Sequence, residues 1–97
     1  MNDGITHFTL LKPPEFLFTA VDVHFIDEAY KHGLKGKRSP FVVMSENEYL
    51  ARRGYDHNSY VFIVMARLMA EDEYRFFHAE TGEWLAFEIP GKYLRFM

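Results

Sequence analysis

YRFFHAETGEWLAFEIP, residues 74–90, is the stretch on which the reading of the fold turns. Large apolar side chains stand on either side of Thr81-Gly82, and a glycine in a short connection supplies the backbone freedom that antiparallel neighbours need. The stretch predicts a hairpin of strands 74–79 and 84–89, stopped by Pro90-Gly91, with a last strand over 93–97.

Immediately upstream, residues 60–66 (YVFIVMA) are apolar at every position. A run without alternation predicts a central strand covered from both sides, and Leu68 to Glu73 has room for one helical turn. Residues 45–54 read as a helix. Ser45 stands three positions before Glu48 in the capping-box pattern, and Gly54 supplies the stop. Phe41 to Met44 is a short buried strand after Pro40. Asp22 caps a helix over 23–32, in which Phe25, Ile26, Ala29 and Tyr30 recur at helical spacing until Gly33 ends it. Ile5 to Lys12, halted by Pro13-Pro14, predicts an edge strand, and Phe16 to Ala20 reads as a second, short strand. The order of elements gives an α+β class, with a mainly antiparallel twisted sheet and two short helices, in a single domain over residues 1–97.

With 97 residues, 48% of them hydrophobic and 18% aromatic, the chain can fill one core but hardly two. It has no Cys, which excludes disulfides, thiolate nucleophiles and sulfur-based zinc sites, and suits a reducing compartment. The start MNDGITHFTL has neither a basic nor an apolar leader region, so a cytoplasmic location is expected, and no apolar run approaches membrane-spanning length. The net charge of -3 argues against whole-surface attraction to nucleic acid. The charge is uneven, however. Lys31, Lys35, Lys37, Arg38, Arg52 and Arg53 fall in one stretch and Glu71, Asp72, Glu73, Glu80 and Glu83 in a later one, which leaves room for a local basic patch.

From Leu17 onward, over roughly four fifths of the chain, the sequence resembles the RNA 2′-phosphotransferases. In FFHAETGEWLAFEIPGKYLRFM, residues 76–97, the positions Gly82, Trp84, Leu85, Pro90 and Tyr93 match the closing pattern of that family's C-terminal lobe. His32-Gly33-Leu34 resembles its helix end, and RSPFVVMS, residues 38–45, its Arg-containing segment that ends in a His-Leu-Ser strand. The resemblance implies an ADP-ribosyltransferase-like fold, an NAD cofactor and removal of a splice-junction 2′-phosphate from RNA. It also implies losses. Thr19 stands where the family's His-Gly-Thr motif has its His, and Val43 replaces the second-strand His. The Arg-His-Gly motif lies in an N-terminal lobe with no counterpart in these residues, and that lobe is expected to be missing. Arg38 and Ser45 remain, Arg38 offset by one position.

The candidate phosphate- or nucleotide-binding residues are therefore Lys35, Lys37, Arg38, Ser45 and Thr19. Arginine offers a planar fork of donors to phosphate, although three cations after a helix end also suit a solvated loop beside the helix dipole. Ser45 can bond a nucleotide or simply cap its helix. Arg52, Arg53 and His78 are candidates for contact with a partner, each with an ordinary reading as a solvated or strand residue. Five scattered His show no i, i+4 pair, so no metal is expected. Two readings remain open. One is a non-catalytic relative that binds a protein, nucleotide or nucleic acid, a size and composition that would also suit a small phage or mobile-element inhibitor. The other is a minimal NAD-dependent ADP-ribosyl transferase or 2′-phosphotransferase-like enzyme, using NAD or ADP-ribose.

Overall fold

The computed structural model describes residues 8–36, 40–53 and 58–97. Nine strands occur among them: β1 (Phe8–Leu10), β2 (Leu17–Asp22), β3 (Leu34–Lys35), β4 (Val42–Met44), β5 (Ser59–Val64), β6 (Phe77–Ala79), β7 (Trp84–Ala86), β8 (Glu88–Ile89) and β9 (Leu94–Phe96). Three short helices join them: α1 (Ile26–His32), α2 (Glu48–Arg52) and α3 (Ala66–Glu71). The class is α+β and every strand pair is antiparallel, as expected.

The pairing divides into three sheets instead of one: β1-β6-β7-β4, β2-β5-β9 and β3-β8. The hairpin at Thr81-Gly82 forms between β6 and β7, with Gly82 at φ 96, in the left-handed region that glycine enters without strain. The expected strand 84–89 splits at Phe87, and its second piece leaves β4 to pair with β3. Ser59–Val64 is the central strand of its sheet, flanked by β2 and β9, and Val61, Phe62 and Val64 are wholly buried. The expected strand over 60–66 ends two residues early because Ala66 opens α3, a full helix where one turn was expected.

The core lies between the first two sheets and α3. Leu17, Phe62, Met69, Phe76, Tyr93 and Leu94 are each at most 2% exposed, and each such side chain stabilises by about 1.5–3 kcal/mol. Two helix expectations are corrected in detail. Asp22 caps as expected, accepting from the His24 amide at 2.8 Å, but its first turn, Val23–Phe25, is a tighter 3-10 turn, so the α-helix starts at Ile26. Helix α2 is capped by Asn47, whose Oδ1 accepts from the Leu50 amide at 2.8 Å. Ser45 instead lies in an isolated bridge to Phe18, so the Ser45–Glu48 capping box does not form. Asn caps as well as Ser, and Asn47 has the extended backbone that a cap requires. Gly33 ends α1 as expected, at φ 83, where a Cβ would stand 2.5 Å from the Ile89 carbonyl oxygen. The early strand is observed at Phe8–Leu10, its residues 5–7 lying outside the described residues, as does the Gly54 stop.

Candidate functional site

Two sheets meet at one point and then part. Phe18 and Ser45 exchange main-chain bonds of 2.9 and 2.8 Å, joining β2 to the end of β4. Beyond that bridge the strands diverge, and no second main-chain pair joins them among the described residues. Backbone groups alternate sides along a strand, so the peptide groups of Ala20, two residues past Phe18, face the opening. The opening is a cleft of about 460 Å³. Thr19 to Asp22 form one wall and Phe41 to Val43 another, while Leu34 to Gly36, Phe25 and the Leu50-Ala51 side of α2 complete it.

Thr19 is 3% exposed, and its Oγ1 donates to the Val43 carbonyl at 3.0 Å. This bond is a second tie between β2 and β4, made by a side chain where the ladder itself has stopped. The two positions at which the resemblance implied histidines are therefore joined to each other. Ser45, 8% exposed, has its main chain spent on the bridge and its side chain on the cleft wall. Lys35 is exposed and brings one cation to the cleft mouth. Lys37 and Arg38 lie outside the described residues.

A second recess of about 780 Å³ adjoins the first and shares Ser45, Leu50 and Glu83 with it. It brings Arg53 and His78 together, two of the candidates chosen for partner contact. The His78 ring lies 4.5 Å from that of Trp84, whose Nε1 donates to Glu46 Oε2 at 2.8 Å. Trp84 is 5% exposed, so its ring is part of the packing. Arg52 stands apart from this group. It donates to the Ser59 carbonyl at 3.4 Å and pairs with Glu48 at 3.1 Å, one turn back on the same helix. That arrangement braces α2 against β5.

Sequence reasoning missed Leu50, Glu83, Phe25 and Phe41 as lining residues. Leu50 carried only the signal of an apolar residue in a short helix, which does not say what that helix packs against. Glu83 carried none, because only the meeting of the hairpin turn with α2 brings it there. No group of three or more His, Asp or Glu side chains is placed to hold a metal among the described residues. No described helix is long and apolar enough to cross a membrane.

Comparison with known proteins gives the cleft a context. Over 84 residues, 84% of this chain, the sequence is 36% identical to the protein named RNA 2′-phosphotransferase of Escherichia coli strain K12. The same identity and coverage hold for proteins named probable RNA 2′-phosphotransferase in other strains, among them O139:H28 and O9:H4. The chain resembles RNA 2′-phosphotransferases. It spans about half the length of these curated relatives, 46% of each. No protein-family model matches it. The extent of similarity to the RNA 2′-phosphotransferases agrees with the resemblance read from Leu17 onward and so includes both walls of the cleft.

Proposed function

We propose that this chain is a binding relative of the RNA 2′-phosphotransferases that holds a nucleotide or a nucleic-acid or protein partner in the cleft between β2 and β4 without turning it over. The Thr19 to Val43 bond carries this reading. A threonine hydroxyl cannot take or give a proton near neutral pH as an imidazole can, and the one hydrogen that Thr19 could donate is already given to the Val43 carbonyl. Val43 has no polar side chain to offer. Enzymes of this kind depend on several groups held in register around the reacting atoms, and misplacing one costs orders of magnitude in rate. Lys35 and Ser45 can hold an anionic group by charge and a hydrogen bond, while Asp22 and Glu83, which also line the cleft, can accept from a ligand's hydroxyl or amide groups.

A second reading, a minimal NAD-dependent transferase, is favoured by the 36% identity to proteins named as phosphotransferases. It requires other residues to supply the missing chemistry.

Calorimetry with NAD and with ADP-ribose tests the first reading. Binding is expected for at least one of them. Leu50→Glu, which places a carboxylate between the two recesses, is expected to weaken it about tenfold by opposing the ligand's phosphates. Binding that is unaffected by Leu50→Glu contradicts the cleft as the site. Absence of binding moves the reading to a macromolecular partner.

A further inference from the structure

Antiparallel sheets over a single core are usually apolar inward and polar outward. The sheet β1-β6-β7-β4 carries large apolar side chains on both faces, with Thr9 and His78 as polar positions on the inner one. Its inner face sends Val42, Met44, Trp84 and Ala86 into the core. Because successive side chains alternate, the strand register sets Leu10, Phe77, Leu85 and Val43 side by side across the outer face. Phe87 continues that face, with its ring 5.8 Å from Phe77 and stacked 5.1 Å from Phe41. Leu85 is 1% exposed yet stands outside the main core cluster, in keeping with cover from these rings. The outermost groups remain open to solvent. Leu10 is 61% exposed, Phe87 53% and Val43 45%.

One end of this apolar face is charged. Leu10, Lys12 and Arg75 line a groove of about 480 Å³ between the end of β1 and α3. Neither cation makes an ion pair among the described residues, although Glu71 lines the same groove. Like charges brought together at a sheet end repel and cost stability, and an anion between them reverses the sign.

We propose that the outer face of the β1-β6-β7-β4 sheet docks an amphipathic helix of a partner protein, its apolar stripe on Phe87, Phe77 and Val43 and its acidic end against Lys12 and Arg75. The dimensions suit one helix. Four strands at about 4.8 Å spacing span roughly 15 Å, against a helix diameter of about 10 Å with side chains. Single-stranded nucleic acid fits less well, because a few cations beside Glu71, on a chain of net charge -3, offer little attraction to a run of phosphates. The face meets the cleft at Phe41 and Val43, but the inference does not rest on the cleft's function.

The test uses the full chain and a fluorescein-labelled helical peptide of about 15 residues, with a Leu/Ala stripe and Glu at one end, beside a counterpart carrying Lys there. Fluorescence anisotropy is expected to show the Glu peptide binding at least about tenfold more tightly than the Lys peptide at low salt. Phe87→Ser and, separately, the pair Lys12→Glu with Arg75→Glu are each expected to weaken it about tenfold, with circular dichroism confirming that both variants fold. Equal affinity for the two peptides, or no binding of either up to about 1 mM, overturns the proposal. So does sedimentation showing that a second copy of the chain closes the face. A labelled RNA oligonucleotide whose binding is lost in the same variants overturns it as well.

Discussion

The hairpin and the junction between β2 and β4 are built from the same kinds of residue and end in opposite states. In the hairpin the ladder runs continuously from Phe77-Leu85 to Ala79-Glu83, and Trp84 is buried with its indole N–H satisfied by Glu46. At the junction the ladder stops after one bridge, and a threonine hydroxyl takes over where main chain would otherwise pair. Continuity leaves no room for a ligand. Interruption opens the cleft, and the difference lies in how long two strands stay side by side.

The largest effect should come from the continuous region. Phe76→Ala empties a site that is 1% exposed beneath the hairpin, and chemical denaturation should register a loss of about 3–5 kcal/mol. At the junction, Thr19→Val keeps the volume but leaves the Val43 carbonyl without its donor, and should cost about 1–3 kcal/mol. A loss as large as that of Phe76→Ala would mean that the junction is core and not a weak seam.

A smaller change sharpens the account of α2, which forms one cleft wall. Asn47→Ala should lower stability by about 1 kcal/mol through loss of the cap, while Ser45→Ala should leave the helix untouched. If Ser45→Ala costs more than Asn47→Ala, the bridge serine does more than its main chain suggests.

The alkaline limb of stability reports on the core beside α3. The Tyr93 hydroxyl donates to Asp72 Oδ2, and that bond, with burial and the carboxylate's charge, raises its pKa to about 12 from an ordinary 10.0. The folded state thus holds a proton that the unfolded chain releases earlier. This contribution is fully present below pH 10.0 and lost as pH rises towards about 12. Tyr93→Phe should flatten that decline, measured by denaturation at stepped alkaline pH.

Much of the fold was legible because its signals are local. Gly82 between apolar runs, Gly33 after a helical stripe and the unbroken apolar Val61–Val64 each dictate structure within a few residues. Ser45 misled because a capping box is defined by spacing alone, and Asn47 competes within the same turn. The division into three sheets was not legible, since it depends on the change of partner at Phe87 and on the parting of β2 from β4. For the same reason Thr19 and Ser45 could be named from the resemblance, whereas Leu50 and Glu83 become neighbours of the cleft only through long-range packing.

Nicotinamide release from NAD tests most directly whether the cleft is one that binds without reacting. With its Thr19 hydroxyl committed to Val43, the protein should release no more nicotinamide than a protein-free control. Release above that control which disappears in Arg38→Ala would contradict the account and establish the chain as a transferase.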